Sequence, residues 1–142
     1  MTDVRPGELT DAPACAAILN AWIDGTDWMP RVHPPEDVQR HYQEFVFKER
    51  EVHVIGRPPT AYIAMSENNF VTSLFCASPG QGHGKRLLDH AKAHRSKLQL
   101  WTFVANTGAQ RFYSREGFTE VERSDGDNEE KLPDILYRWE AA

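Results

Sequence analysis

Three glycines alternate at the point where a strand-like sequence pattern gives way to a helical one. Gly80, Gly82 and Gly84 follow the predicted strand Phe70–Ala77, and a helical repeat of apolar residues comes next. Glycine lets a backbone approach a ligand closely, and the first-turn N–H groups of a helix have no acceptor within the helix. This loop is therefore either an anion site suited to a pyrophosphate or a tight turn that binds nothing.

The sequence around the glycines excludes two common phosphate-binding folds. No Gly-Lys-Ser/Thr sequence follows them, so the loop is not a Walker loop. A dinucleotide-binding fold requires repeated parallel strand–helix units around its glycine turn. Here three consecutive strands precede the loop, which indicates an antiparallel meander instead.

Hydrophobic periodicity predicts about seven strands and about four helices, in the order β-α-α-β-β-β-α-β-α-β-β. The predicted strands are a short one at Val4, then Val52–Ile55, Thr60–Met65, Phe70–Ala77, Leu98–Val104, Phe118–Glu122 and Ile135–Trp139. The order predicts one α+β domain spanning residues 1–142, similar to an α/β sandwich, with a mixed but mostly antiparallel central sheet flanked by helices.

The predicted helices have recognisable ends or faces. Oxygens of Thr10 or Asp11 can cap the first helix, and Gly25 ends it. The second begins near Glu36 and repeats apolar residues at Val38, Tyr42, Phe45 and Val46. The third carries Leu87, Leu88 and Ala91 on one side, and the fourth spans Asn106–Glu116 before Gly117.

Composition narrows the functional class. The chain has 142 residues, 40% of them hydrophobic, and a net charge of −5. It has no basic excess to neutralise phosphates, no apolar run long enough to span a bilayer and no signal-like start. Cys15 and Cys76 lie in apolar stretches without metal-like spacing, so we expect buried free thiols. We therefore expect a cytoplasmic protein that binds neither nucleic acid nor membrane.

Two segments resemble the GNAT (GCN5-related) N-acetyltransferase family. Gly82 and Gly84 occupy the small positions of the family motif Gln/Arg-x-x-Gly-x-Gly/Ala, and Leu87-Leu88 matches the apolar pair after it. The segment Asn106-x-x-Ala109-x-x-Phe112-Tyr113-x-x-x-Gly117-Phe118 resembles the second CoA-side segment of the family, and the element order matches as well. Pro79 departs from the motif, because it stands where the family has Gln or Arg.

The resemblance implies an acyltransferase that moves an acetyl group from acetyl-CoA to an amine acceptor, a small molecule or a peptide, by direct attack in a ternary complex without a metal. The residues it places at the donor are Phe75, Cys76, Gln81, Gly82, His83, Gly84, Lys85 and Asn106. The first two would contribute backbone groups, and Asn106 equally suits a helix N-cap. Pro79 removes an amide donor, so a non-catalytic acyl-CoA-binding or sensor module remains the alternative.

Tyr113 matches the residue that usually serves as general acid in the family. Its phenol, with an ordinary pKa near 10, suits protonation of a departing thiolate. By helical spacing alone Tyr113 is an aromatic core residue. No acid lies on the strand Phe70–Ala77, where some members have a base, which leaves His33, Glu67 at a turn, or water.

The same resemblance places the acceptor between the loop after the first helix and the final hairpin. Trp28 forms an apolar wall or fills the core, Arg31 holds an acceptor carboxylate, and His33 lies beside them. Residues 124–130 are acidic, and they either attract an amine or form a solvated turn. Ile135, Tyr137 and Trp139 suit a homodimer edge or core packing.

Overall fold

Seven strands form two antiparallel sheets in a computed structural model that describes residues 3–142. The first sheet has the order β1-β2-β3-β4 and the second the order β5-β7-β6. The strands are β1 (Val4–Pro6), β2 (Glu51–Ile55), β3 (Ala61–Met65), β4 (Val71–Cys76), β5 (Lys97–Phe103), β6 (Thr119–Ser124) and β7 (Asp134–Glu140). The predicted α+β class and strand order are confirmed.

The helices lie in the predicted places. They are α1 (Ala12–Asp24), α2 (Pro35–His41), α3 (Phe47–Glu49), α4 (His83–His94) and α5 (Thr107–Arg115). Among the residues that the structure describes, no helix is long and apolar enough to cross a membrane.

The start of α1 differs from the prediction. Thr10 lies in a 3₁₀ turn, Leu9–Asp11, and Asp11 is at the N-cap position without capping the helix. Its carboxylate instead accepts two hydrogen bonds from Arg5, at 2.8 and 2.9 Å, and one from the Glu8 N–H. The bidentate pair with Arg5 lowers the pKa of this buried carboxyl and ties β1 to α1.

The second predicted helix is interrupted. Between α2 and α3, residues Tyr42–Val46 form a π-helical turn. A π turn adds a residue per turn and so shifts the phase of the side chains that follow. Tyr42 and Val46 remain buried as predicted, but Phe45 is 37% exposed. The periodic pattern was thus wrong about Phe45.

Two apolar layers lie on opposite faces of the first sheet. One packs β1–β4 and the second sheet against α4 and α5, with Ile63, Leu88 and Leu98 at its centre. The other packs α1 and α2 against the opposite face through Ala16 and Tyr62. Because β3 is covered on both faces, all five of its residues are buried.

The apolar residues of β7 that could suit a homodimer edge belong to the layer that packs against α4 and α5. Ile135 and Tyr137 are buried in it, and Trp139 packs against it. Cys15 is buried as predicted, whereas Cys76 is only half-buried at the end of β4.

The two sheets meet at one parallel bridge and then diverge. Phe70 pairs with Gln99, and the Gln99 N–H donates to the Asn69 carbonyl at 2.9 Å. Beyond this bridge β4 has no strand partner on the side facing β5. Its register against β3 also shifts, because Ala64 pairs with Ser73 and Met65 with Val71. The resulting bulge at Thr72 bends β4 away from β5 and opens a V-shaped gap between the sheets.

Candidate functional site

The gap between β4 and β5 is a cleft of about 780 Å³. Its floor is formed by β4 residues 71–75, β5 residues 100–103 and the α5 residues Ala109 and Tyr113. Its walls come from α1, the loop after it, the π-helical turn and the β6–β7 loop. Of the predicted site residues, Phe75 and Asn106 from the donor side and His33 from the acceptor side line this cavity, whereas the glycine loop does not.

The glycine loop lies at the carboxyl end of β4. Gly80 and Gly82 have φ angles of 88° and 77°, in the left-handed region that side chains other than glycine rarely adopt. Gly82 is the N-cap of α4, so the helix points its free N–H groups at this turn. No atom lies within 4 Å of a Cβ built on either glycine, and residues 78–84 include no acid. The loop is therefore open to an anion.

Gly84 has a different environment. Its backbone hydrogen-bonds the Cys76 sulfur, and a Cβ built on it would meet the Phe112 ring at 3.5 Å. Gly84 thus packs α4 against α5 and β4. Its amide was predicted to be a donor for a ligand, but in the structure this amide hydrogen-bonds Cys76. Burial raises the pKa of this thiol, so it stays protonated.

Lys85 is paired with protein carboxylates. Its Nζ lies 3.0 Å from Glu116 and 3.4 Å from Asp89. These two acids largely neutralise the positive charge that the sequence analysis expected beside the loop. The anion site therefore consists chiefly of the backbone N–H groups of Gln81, Gly82 and His83.

Tyr113 lies at the floor of the cleft. Its ring packs edge-on against Phe112 and Phe118, with centroids 5.1 and 5.4 Å apart. Burial, followed by the nearby Cys76 thiol, raises the pKa of the phenol well above its ordinary value. Tyr113 is thus both a core aromatic and a protonated hydroxyl facing the cavity.

Asn106 is the N-cap of α5. Its Oδ1 accepts a hydrogen bond from the Ala109 N–H at 3.1 Å. The same side chain lines the cleft, and its Nδ2 donates to no other residue among those described. The cap and a ligand contact are therefore compatible in one side chain.

Trp28 lies behind the cleft wall. It packs edge-on against Trp22 and Phe103, with centroids 5.8 and 5.7 Å away. Trp22, Met29 and Phe103 line the cavity, and Trp28 supports them from behind. The cavity is not filled by Trp28.

Arg31 does not face the acceptor space. Its guanidinium is 2.9 Å from Asp24 and also donates to Asn20 and to the His33 carbonyl. The expected carboxylate clamp is therefore corrected: Arg31 fixes the loop after α1 to that helix. The carboxylate of Asp24 already binds its guanidinium.

His33 and the acidic loop meet across the mouth of the cleft. His33 Nε2 lies 2.9 Å from Glu129, and both side chains are exposed. Glu129 and Glu130 line the cavity, so part of the acidic run belongs to the site.

Sequence reasoning missed three side chains at the opposite wall. Tyr42 contributes a hydroxyl that hydrogen-bonds those of Tyr62 and, at 3.4 Å, of Ser73. Phe45 and Arg50 lie further along the π-helical turn and beyond it. Periodicity placed Tyr42 and Phe45 in the core, and no motif singles out Arg50.

Comparison with known proteins identifies the fold and a family match over part of the chain. The sequence model of the GNAT acetyltransferase domain matches residues 60–120. Apo-form YjaB from Escherichia coli is 21% identical, with a TM-score of 0.78, 100% of this chain covered and 99% of that one. A GNAT-family acetyltransferase from Bacillus cereus is 15% identical, with a TM-score of 0.77 and the same coverage.

A third structure was solved with a ligand. YncA from Salmonella typhimurium, solved with its cofactor acetyl-CoA, is 16% identical with a TM-score of 0.74, and the match covers 100% of this chain and 95% of that one. No curated protein sequence matches the chain. The matched residues 60–120 carry β3, β4, the glycine loop, α4, β5 and Tyr113, and the rest of the chain completes the same fold. Residues 60–120 thus match the GNAT acetyltransferase domain, and the chain as a whole has the fold of the GNAT structures.

Proposed function

We propose that this protein transfers an acetyl group from acetyl-CoA to an amine acceptor bound in the same cleft. One observation carries the proposal: Tyr113, whose buried phenol stays protonated, lines a cavity between two divergent strands. This cavity extends along β4 as far as Phe75, and the open glycine loop follows the end of that strand. The GNAT fold and the acetyl-CoA complex of yncA support the choice of donor.

The residues on the donor side fit a CoA thioester. The left-handed glycines and the free N–H groups at the start of α4 suit a pyrophosphate. The unpaired side of β4, up to Phe75 and Cys76, offers backbone groups to the amides of an extended arm, and Asn106 offers its Nδ2. Acetyl-CoA supplies the activated thioester carbonyl that the chain itself lacks.

Tyr113 is the proposed general acid. Its raised pKa keeps a proton on the phenol oxygen at neutral pH, where the departing sulfur requires one. The apolar rings around it exclude water, and holding both reactants in one cleft supplies much of the rate. Tyr113 is thus the residue on which the chemistry depends most.

The acceptor must lose a proton before it attacks. His33 is held at the rim by Glu129 and exposed to solvent, away from the floor where Tyr113 lies. Within the residues that the structure describes, Ser73 is the β4 side chain with a hydroxyl nearest to Tyr42. We propose that water in the cleft, ordered by these hydroxyls, removes the proton, because burial raises the pKa of Tyr42 and keeps it neutral.

The non-catalytic alternative predicts binding without turnover. A sensor on this fold would have its acceptor space closed by the loop after α1 or by the acidic loop. Both segments line the cavity, and neither fills it.

The first experiment is calorimetry with acetyl-CoA, and with CoA and ATP as comparators. We expect micromolar binding of the CoA compounds, about −8 kcal/mol, and much weaker binding of ATP. Binding by all three alike, or by none, would contradict the proposed donor. Release of free CoA with an amine panel then separates an enzyme from a sensor.

The Tyr113→Phe variant tests the acid. It keeps the aromatic packing and removes only the hydroxyl, so acetyl-CoA affinity should be unchanged while kcat falls about 100-fold or more. A kcat equal to that of the parent protein would remove Tyr113 from the acid role.

A further inference from the structure

One arginine in the cleft lacks a carboxylate partner. Arg50 is the residue just before β2, and its half-buried side chain lines the cavity. In residues 3–142 no Asp or Glu oxygen lies within 4.0 Å of its guanidinium. A partly desolvated cation without a counter-charge favours binding of an anion.

Two other arginines in the loop after α1 and in α2 are paired with carboxylates. Arg31 binds Asp24, and Arg40 binds Asp37 at 3.1 Å. Pairing of this kind removes a cation from ligand binding, as it does for Arg31. Arg50 therefore differs from these residues because it lacks a carboxylate partner.

The guanidinium is held in place by an aromatic stack. It lies 4.9 Å from the centroid of the Phe45 ring, which in turn stacks on His41 at 5.1 Å with planes 14° apart. The π-helical turn exposes Phe45 toward this position, and the Arg50 N–H is fixed to the Val46 carbonyl at 2.9 Å. A stacked guanidinium leaves its N–H donors directed outward in a fixed fork that matches a carboxylate.

The anion is not a phosphate of the donor. Arg50 precedes Glu51, which pairs with Met65, and Met65 pairs with Val71 at the start of β4. The glycine loop follows Cys76 at the other end of the same strand. Five steps of ~3.3 Å from Val71 to Cys76 separate the two ends of the strand by roughly 17 Å. The cation and the phosphate loop therefore serve different ligands.

The lining of the cleft carries charges of both signs. Glu130 also lines the cavity and, within the described part of the chain, has no cationic partner. Apolar groups line it as well, among them Phe45, Met29 and Val32. This arrangement suits a molecule with a carboxylate, an amine and an apolar body.

We propose that Arg50 binds the carboxylate of the acceptor, and that the acceptors are therefore amines that carry a carboxylate, such as apolar amino acids. The inference rests on the proposed acetyl transfer and names its substrate class. Arg50 is a specificity-determining residue here, and the proton transfers stay with other groups.

The experiment compares amines that differ only by a carboxylate. Three pairs serve: phenylalanine and phenethylamine, leucine and isoamylamine, ε-aminocaproate and pentylamine. Each is assayed with acetyl-CoA for free CoA release, and acetylated product is confirmed by mass. We expect kcat/KM for the best acid to exceed that of its partner amine by roughly 10- to 100-fold, the range for a charge-assisted pair.

Variants of Arg50 test whether this residue causes the preference for amines that carry a carboxylate. Arg50→Met should reduce the acid-to-amine ratio to about one, mainly through KM, and leave acetyl-CoA affinity unchanged. Arg50→Lys keeps the charge but not the fork, so it should retain part of the ratio. Arg57→Met, at the exposed β2–β3 turn, is the matched control and should behave as the parent protein.

Each outcome decides a different point. If acetyl-CoA does not bind, the proposed function fails, and this inference fails with it. If acetyl-CoA binds but the decarboxylated amines react as well as the acids, or if neither set reacts, the substrate class is wrong while the donor remains. A preference for acids that survives in Arg50→Met shows that another group binds the carboxylate.

Discussion

Tyr113 shows how one buried position serves both packing and chemistry. The rings of Phe112 and Phe118 fix its orientation, and the resulting burial raises its pKa. Burial also raises the pKa of the neighbouring Cys76 thiol, so this thiol adds no negative charge near neutral pH. The hydroxyl therefore remains a proton donor wherever the fold is intact.

The rate should consequently rise with pH without an early decline. A raised pKa keeps Tyr113 protonated up to and beyond its ordinary value of about 10, while the acceptor amine loses its proton. We expect kcat/KM to increase from pH 6 and to show no falling limb below pH ~10. The pH profiles of the parent protein and of Tyr113→Phe provide the check. A decline centred below pH 10 that disappears in the variant would contradict the assignment.

Individual side chains were predictable where their role follows from local spacing. The core position of Tyr113 and the N-cap position of Asn106 were predictable in this way, since helix phase and an N-cap are properties of a short segment. The proposed acid role of Tyr113 came from the family resemblance instead. Arg31 and Arg50 were not, because an arginine is paired or available according to which acid the fold brings near it. Arg31 lies seven residues after the acid that binds it, Asp24. Nothing in the sequence distinguishes these two arginines.

At the scale of elements, the loop between β4 and α4 depends on the backbone angle at Gly82. A side chain at this left-handed position costs about 1–2 kcal/mol, and relief of that strain moves the N–H groups at the start of the helix. In Gly82→Ala we expect weaker acetyl-CoA binding, by about 10-fold, measured by calorimetry.

Gly84→Ala is the contrasting variant for this loop. Its backbone is helical, and the new Cβ would meet the Phe112 ring at 3.5 Å, an ordinary contact. It should retain more donor affinity than Gly82→Ala. The account of the loop would be wrong if the two variants lost affinity equally.

Helix α4 also contacts β2 through imidazoles. The His90 ring is 4.5 Å from that of His53 and 4.6 Å from that of His94. Burial, then these two neighbours, lower the pKa of His90, and Glu51 only partly opposes them. Within the described residues no group of three or more metal-ligating side chains is arranged to hold a metal ion.

This cluster should make stability depend on pH. Below the ordinary histidine value of 6.5, the unfolded chain binds a proton at His90 before the folded chain does. Stability should therefore fall as the pH drops from about 6.5 toward the lowered folded pKa. Urea unfolding at pH 7.5 and at pH 5 measures the fall, and His90→Gln should reduce it. His41→Gln is the control, and an equal reduction in both variants would exclude His90 as the cause.

The type and order of the elements were predictable, but two structural details that form the site were not. The apolar repeat of Val38, Tyr42 and Val46 fits an α-helix, and the inserted π turn changes only which side of Phe45 is covered. Likewise, a strand pattern does not tell whether β4 and β5 pair along their length or at one bridge. Both details depend on packing between distant segments.

The whole molecule is two sheets held together at the base of a cleft, so a ligand that bridges them should stabilise both. At 100 times its Kd, acetyl-CoA adds about 2.7 kcal/mol, a rise in Tm on the order of 10 °C for a chain of this size. Thermal unfolding with acetyl-CoA, and with ATP at equal concentration, provides the measurement. Equal shifts would mean that the pantetheine arm contributes nothing.

The family match divides the molecule along the same line as the proposed chemistry. Residues 60–120 hold the glycine loop, β4, β5 and Tyr113, which form the proposed donor side. Arg50, His33 and Glu130 lie outside that range and line the proposed acceptor side. The proposed donor residues were therefore accessible from motifs, whereas the proposed acceptor side depends on the three-dimensional arrangement of this chain.

The single bridge at Phe70 and Gln99 has a consequence for contacts between chains. An unpaired strand at the outside of a sheet is a template on which other proteins aggregate. Here the unpaired side of β4 faces inward across the gap from β5, so another folded chain cannot reach it. A thin, extended molecule with amide groups can enter and add to the strand as a peptide would. The same geometry that leaves hydrogen-bonding groups free for a ligand thus withholds this edge of β4 from pairing with another folded chain.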